Sequence, residues 1–159
     1  MIKLNLPELK PPKRKPKTPK YTLSYEALDQ AATNLHGGKA QTLQGGLTAA
    51  LGTTLRIFED GKSLFEMKLD IVGTTLTIDR PKTEEAHRGR GLATLGVYLA
   101  VQYGASQGCV DVTLGTKMES GSEGFWAHVG VGEGKRPIEN AIERIQTREK
   151  DNIVIGEPK

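Results

Sequence analysis

Apolar residues between positions 53 and 80 alternate with polar ones. This period-two pattern predicts three strands, at 53–59, 63–72 and 74–80. Asp60-Gly61 and Gly73 separate the strands, and both are typical of tight turns in an antiparallel sheet. The side chains predicted to face the core are Phe65, Met67, Leu69, Ile71, Leu76 and Ile78.

Elsewhere the apolar spacing is helical. Ser24 can cap a helix over 25–35, and a weaker helix is predicted over 41–51, although Gly45-Gly46 interrupts it. Residues 92–107 predict an apolar helix packed on two sides, and 137–148 predict an amphipathic helix with Pro137 in its first turn. The remaining predicted elements are strands at 109–114 and 152–156 and a short helix at 122–129. Together these elements predict a mixed α+β fold.

Charge divides the chain into two parts. Residues 1–20 are rich in proline and carry seven lysines and arginines against the single acid Glu8, so that, with a net charge of +3 for the whole chain, the rest carries about −3. A segment of this composition cannot bury enough apolar area to fold alone. We therefore expect an extended basic arm at 1–20 and a domain over 21–159. The arm is either a solvated tail or, through residues 10–20, a docking segment for nucleic acid or an acidic protein.

Several classes of protein are disfavoured. Cys109 is the only cysteine, which excludes an internal disulfide and a cysteine-rich zinc site, and no metal site is predicted. It is expected to be a buried core residue. No apolar run approaches the roughly 20 residues that cross a bilayer, and the N-terminus lacks the apolar region of a signal peptide. We expect a cytoplasmic protein without membrane contact, compatible with a homodimer.

The segment with the clearest chemical meaning joins the third strand to the apolar helix. Gly89 and Gly91 let the backbone approach a ligand closely, and the loop opens directly onto a helix N-terminus, where amide groups and the helix dipole favour an anion. Arg88 and Arg90 are predicted at the rim, and Thr94 adds a hydroxyl. Neither the P-loop pattern nor the dinucleotide fingerprint fits this segment.

A longer resemblance indicates which anion this loop would bind. Arg88-Gly89-Arg90-Gly91-Leu92-Ala93 resembles the [QR]-x-x-G-x-[GA] signature loop of the GNAT acyltransferases. Gly124-Phe125-Trp126-Ala127-His128-Val129-Gly130-Val131 is similar to the second motif of that superfamily. The likeness covers about residues 53–131.

The resemblance implies a mostly antiparallel, twisted sheet flanked by helices, with splayed strands forming a cleft for acetyl-CoA. Backbone amides of residues 89–94 would hold the pyrophosphate, the 74–80 strand would pair with the pantetheine, and Trp126 would be either a cofactor-facing wall or core packing. The implied activity is N-acetyl transfer to an amine, on a small molecule or a macromolecule, by direct attack in a ternary complex. The acceptor site would be formed by the first two helices and the last strands.

Three departures from the superfamily pattern bear on catalysis. Trp126 stands where a tyrosine usually serves as the general acid, and an indole cannot release a proton. Pro81 lies farther from the loop than usual, and the segment between Leu114 and Phe125 is short.

Candidate bases are Glu84, Glu85, His87 and His128, although glutamates beside arginines are commonly solvated ion pairs. Asp70 and Asp79 are interpreted as outward-facing strand residues. A non-catalytic binding protein with this fold and a nucleic-acid-binding module centred on residues 10–20 are the two alternatives.

Overall fold

The computed structural model describes residues 18–35, 37–115 and 121–158. Residues 1–17, which include most of the predicted docking segment, lie outside the described residues, so that prediction stays open. The strands are β1 (Pro19–Ser24), β2 (Gln41–Gln44), β3 (Leu47–Leu51), β4 (Thr54–Glu59), β5 (Lys62–Val72), β6 (Thr75–Thr83), β7 (Asp111–Leu114), β8 (Arg136–Pro137) and β9 (Asn152–Gly156). The helices are α1 (Tyr25–Thr33), α2 (Leu92–Ser106), α3 (Glu123–Val129) and α4 (Ile138–Glu149).

Seven strands form one sheet in the order β2-β3-β4-β5-β6-β7-β8. Every neighbouring pair in this sheet is antiparallel except β6 and β7, which are parallel and are connected through α2. Strands β1 and β9 pair antiparallel in a separate two-stranded sheet. The mixed α+β class and the mostly antiparallel sheet are therefore confirmed. Pro19 and Lys20, which the sequence assigns to the arm, belong to β1.

The predicted meander is present as β4, β5 and β6. Met67, Leu76 and Ile78 are fully buried on one face, while Lys68 and Asp70 are exposed on the other. Leu69 and Ile71 are only partly buried, because β4 pairs with β5 no further than Lys68. Strand β6 also continues to Thr83, three residues beyond its predicted end.

The helix predicted over 41–51 is wrong. Strands β2 and β3 form an antiparallel hairpin there, with Gly45 at φ +49° in the turn. In β3 the buried residues Leu47, Ala49 and Leu51 alternate with half-buried ones, which is the period of a strand. The two glycines that weaken a helix favour a tight turn, and pairing with β4 secures the hairpin.

Helix α2 is central to the core. It packs on β4, β5 and β6 on one side and on α1 and α4 on the other, which explains why its apolar residues surround the whole helix. Ser24 caps α1 by accepting a hydrogen bond from the amide of Ala27 at 3.3 Å. Pro137 lies at the N-cap of α4, one position before the predicted first turn.

Gly96 marks the closest approach of α2 to the sheet, because a Cβ atom there would overlap the ring of Phe65. Gly96→Ala is therefore expected to lower the free energy of unfolding by about 1–3 kcal/mol, the usual cost of overpacking a core. Urea denaturation measures this change. Gly124→Ala is the matched control, since no atom lies within 4 Å of its added methyl group and alanine favours a helix. Equal destabilisation by both substitutions would contradict the prediction.

Candidate anion-binding loop and the cavity beside it

The loop between β6 and α2 contains a short 3-10 turn at Glu85–His87, followed by two glycines with left-handed backbone conformations. Gly89 has φ +82°, and Gly91, the N-cap of α2, has φ +105°. Non-glycine residues rarely adopt such angles, so the glycines are required for this path. The first-turn amides of α2 have no acceptor within the helix, and no side chain caps them. Within the described residues, the loop thus presents N–H groups without a hydrogen-bond partner at the positive end of a 15-residue helix.

A cavity of about 430 Å³ opens beside these amides. Its wall combines the loop with one side of α3 and the end of α4. Arg88 is exposed at the edge, where its Nε donates to the carbonyl of Thr83 at 3.4 Å. The lining residues are Thr83, His87, Arg88, Gly89, Gly91, Leu92, Ala93, Thr94, Phe125, His128, Arg148 and Glu149. The predicted loop residues therefore surround one cavity, with the exception of Arg90.

The predicted position of the Arg90 side chain at the rim is wrong. Its side chain is only 1% exposed and points into the domain. Its Nε donates to the carbonyl of Gly156 at 2.7 Å, and the guanidinium reaches both carboxylate oxygens of Glu59 at 3.3 and 3.4 Å. Because the backbone of Arg90 also accepts from the amide of Gly156 at 2.8 Å, this residue attaches the loop to β4 and β9.

Glu59 is the centre of this buried network. Besides Arg90, its carboxylate contacts the ammonium of Lys20 at 2.9 Å and the hydroxyl of Tyr21 at 2.8 Å. Burial by itself would raise the pKa of Glu59. The hydrogen bonds from Arg90, Lys20 and Tyr21 outweigh burial and lower the pKa to about 2. The carboxylate is therefore charged at neutral pH and joins β1, β4 and the loop.

His87 receives its orientation from the same arginine. Its Nδ1 lies 2.8 Å from a terminal nitrogen of Arg90. A guanidinium can only donate, so Nδ1 accepts in this contact, which leaves Nε2 as the N–H donor of the ring. His87 lines the cavity, and the arrangement makes it an N–H donor beside the loop.

The aromatic pair of the second motif is divided between cavity and core. Phe125 lines the cavity, whereas Trp126 is 5% exposed and belongs to the hydrophobic core. The two rings meet edge to face, with centroids 5.0 Å apart. Of the two interpretations of Trp126, core packing is therefore the one observed, and its predicted contact with a cofactor is corrected.

The catalytic candidates are also separated. His128 is exposed and lines the cavity, while Glu84 and Glu85 are exposed but do not line it. Cys109 is buried, as predicted, and burial raises the pKa of its thiol. Among the lining residues no tyrosine hydroxyl is present.

Strands β6 and β7 pair over only part of β6. The pairs run from Thr75–Asp111 to Ile78–Leu114, and β7 ends there while β6 continues beside β5. A bulge follows in β6, where Arg80, at φ +51°, and Pro81 together oppose Met67. The 74–80 strand predicted to receive the pantetheine is thus paired on both sides over most of its length. Residues 79–83 are the part that β7 leaves free.

Comparison with known proteins identifies no relative. No protein-family model, curated protein or solved structure matches this chain. In the described part of the chain, no helix is both long and apolar enough to span a membrane. Residues 18–35, 37–115 and 121–158 also contain no group of three or more histidine, cysteine, aspartate or glutamate side chains arranged to hold a metal.

One important residue was missed in the sequence, and the partial burial of another was not foreseen. Glu59 follows Leu55 and Ile57 at a spacing of two, so alternation alone could have placed its carboxylate on the buried face. Asp79 lies on the outward face with Lys68, as interpreted, but it is half-buried, and its Oδ1 atom is buried without a hydrogen-bond partner among the described residues. No sequence signal distinguishes Asp79 from the exposed Asp70, which lies on the neighbouring strand β5 opposite Thr77.

Proposed function

We propose that this protein binds an acyl-CoA, with acetyl-CoA as the simplest case, and transfers the acyl group to a primary amine as GNAT acyltransferases do. The observation that carries the proposal is the path of β6 through a glycine loop into α2, beside a parallel β7 that pairs with β6 only as far as Ile78. This combination would place an anion site beside a stretch of β6 that β7 does not cover. Both are needed for a ligand with a pyrophosphate at one end and amide groups along a chain.

The parts of the site have separate roles in this proposal. Amides at the start of α2, together with the exposed guanidinium of Arg88, would bind the pyrophosphate. The edge of β6 at 79–83 would pair with the pantetheine amides. Phe125 would contribute apolar wall, and the Nε2–H of His87 would add a neutral donor. Arg90 would act indirectly, since its contacts with Glu59 and Gly156 hold the loop in place.

The transfer step requires little covalent chemistry from the protein. The acceptor nitrogen attacks the thioester carbonyl carbon, a C–N bond forms, the C–S bond breaks, and the proton lost by the amine ends on the thiolate of CoA. Placing both reactants in one site supplies much of the rate enhancement. His128, in the cavity wall, is the lining candidate for moving the proton, whereas Glu85 is outside the wall.

A second candidate is binding of an acyl-CoA without transfer. The observation that favours it is the burial of Trp126, which leaves no phenol among the cavity's lining residues to protonate the leaving thiolate. Release of free CoA thiol in the presence of a broad panel of amines distinguishes the two candidates. Steady thiol release supports transfer, and saturable binding with no release supports the second candidate.

Reversing the charge of Arg88 tests the anion site. Arg88→Glu is expected to weaken CoA binding about tenfold or more, because a charged hydrogen bond contributes about 1.5–3 kcal/mol and the new carboxylate repels the phosphates. Calorimetry measures the affinity. Lys39→Glu makes the same charge change at an exposed residue outside the cavity wall and should leave binding unchanged. Failure of the folded protein to bind CoA at millimolar concentration would overturn the proposal.

A further inference from the structure

The last turn of α4 forms a part of the cavity wall that the proposed function does not use. Arg148 and Glu149 both line the cavity beside the loop, together with the start of α2. Glu149 is the one carboxylate among the described residues of this wall. A carboxylate close to the first-turn amides of α2 repels any anion that these amides attract, so its charge has to be offset by a neighbouring cation.

Arg148 is that cation. Its Nε lies 3.5 Å from a carboxylate oxygen of Glu149. Consecutive residues of a helix do not face each other, so the two side chains must bend toward one another to meet. The pair is also partly exposed, with 28% of the arginine side chain and 18% of the glutamate side chain accessible. An ion pair of this length and exposure is weak, and another anion can take the place of the carboxylate.

The guanidinium of Arg148 keeps its hydrogen-bonding capacity for a ligand. Within the described residues it donates no hydrogen bond, and it meets Glu149 through Nε. Arg90 is the opposite case, since its Nε and both terminal nitrogens are engaged inside the domain. Guanidinium groups bind phosphate through two parallel N–H donors. Arg148 therefore retains the pair of donors that a phosphate requires, whereas Arg90 does not.

Strand β9 fixes the position of Arg148 relative to the loop. Lys150 follows α4 with φ +60°, which a non-glycine residue rarely adopts, and the chain turns there into β9. At the end of β9, Gly156 exchanges two hydrogen bonds with Arg90 of the loop. The part of the wall that carries Arg88 and the part that carries Arg148 are therefore attached to the same strand.

We propose that Arg148 is a second phosphate-binding residue of this site, and that Glu149 is its counterion in the unliganded protein, which the phosphate displaces. The identity of the ligand as CoA rests on the proposed function, whereas the exchange of phosphate for carboxylate does not. Arg88 and Arg148 come from separate parts of the wall and suit a ligand with two adjacent phosphate groups. The diphosphate of the ligand is then held by both arginines and by the amides at the start of α2.

Two substitutions that each remove one charge test the exchange, because their expected effects have opposite signs. Arg148→Gln should raise the dissociation constant for CoA about tenfold, since a charged hydrogen bond to phosphate is lost. Glu149→Gln should lower it about two- to fivefold, since the ligand no longer competes with the carboxylate. Calorimetry measures both affinities, and urea unfolding checks that both variants are folded. A purely structural ion pair would not give a gain in affinity on the loss of Glu149.

Arg56 and Glu66 supply a matched control pair. Their contact also joins Nε to a carboxylate oxygen at 3.5 Å, but it lies on the sheet, outside the cavity wall. Arg56→Gln and Glu66→Gln should leave the affinity for CoA unchanged. In the Arg148→Gln background, Glu149→Gln should strengthen binding less than it does in the wild type, because Glu149 acts through its partner. An equal gain in both backgrounds would reduce Glu149 to simple repulsion of the ligand and overturn its role as counterion.

Inorganic pyrophosphate separates this inference from the proposed function, since it has the two phosphates of CoA without the pantetheine or the acyl group. The wild type is expected to bind it saturably, with the same opposite effects of Arg148→Gln and Glu149→Gln. That pattern without any CoA binding would keep the arginine site and refute the acyl-CoA proposal. CoA binding that Arg148→Gln leaves unchanged, or that Glu149→Gln weakens, would overturn the arginine site alone. If the folded protein binds neither CoA nor pyrophosphate, both proposals are wrong.

Discussion

Replacing Arg90 with methionine is expected to lower the free energy of unfolding by about 3 kcal/mol or more. The substitution keeps the length of the apolar stem but removes the bidentate partner of Glu59 and the donor to Gly156. Removing one member of a buried ion pair leaves the other charge without its counterion, which typically costs about 3–5 kcal/mol. Lys20 and Tyr21 still contact Glu59, so the lower end of that range is expected. Denaturant unfolding followed by tryptophan fluorescence measures the change.

The exposed neighbour supplies the control for this experiment. Arg88→Met removes the same charge two residues away, where the side chain is exposed, and should change stability by less than about 0.5 kcal/mol. The double variant Glu59→Gln, Arg90→Met should recover part of the loss, since it removes both charges. Equal effects of Arg88→Met and Arg90→Met, or strict additivity in the double variant, would contradict a buried pair.

Acidification is expected to remove stability through Glu59. Its pKa falls from an ordinary value of about 4.5 to about 2 in the folded protein, although burial alone would raise it, because Arg90, Lys20 and Tyr21 hydrogen-bond to the carboxylate. A carboxyl group with a lowered pKa stabilises the fold fully above the unfolded value and progressively less as the pH falls toward about 2. The shift corresponds to a loss on the order of 3 kcal/mol between pH 5 and pH 2.

Comparison with Glu59→Gln isolates this contribution from that of the other carboxyl groups. The variant is expected to be less stable than the wild type at pH 7, and the difference should shrink as the pH falls from about 5 toward about 2. Midpoints of urea unfolding, measured for both proteins at several pH values, follow this difference in stability. A difference that stays constant over this range would show that Glu59 does not titrate as expected.

The buried network around Glu59 explains how the loop between β6 and α2 keeps its path. Glycines at positive φ carry the chain past the start of α2, and nothing in their own side chains can hold that path. Arg90 holds it from inside the domain through Glu59 of β4 and Gly156 of β9, while Arg88 remains at the surface. Two arginines separated by one glycine thus have different roles, one maintaining the loop and the other available to a ligand.

Much of the architecture could be predicted from local patterns. Alternation identified β4, β5 and most of β6, helical spacing identified α1, α2 and α4, and β9 was predicted with its observed ends. These predictions succeeded because the spacing of apolar residues reports directly which face of an element is buried. The helix prediction for residues 41–51 failed because a glycine pair inside an apolar stretch is compatible with both an interrupted helix and a turn. Pairing with β4, which is a tertiary contact, selects the turn.

By itself, the sequence determined that a glycine loop connects a strand to an apolar helix, and therefore that a free helix N-terminus exists near residues 88–94. Only the tertiary structure decided that Arg90 turns inward, that Trp126 packs in the core and that Oδ1 of Asp79 is buried with no hydrogen-bond partner among the described residues. The physical reason is the separation along the sequence between a residue and the groups that determine its conformation. Backbone conformation and the burial of a face depend on neighbours a few residues away, whereas the partners of Arg90 lie at positions 59 and 156. Such distant partners determine the position of a charged side chain, and the local spacing of apolar and polar residues does not identify them.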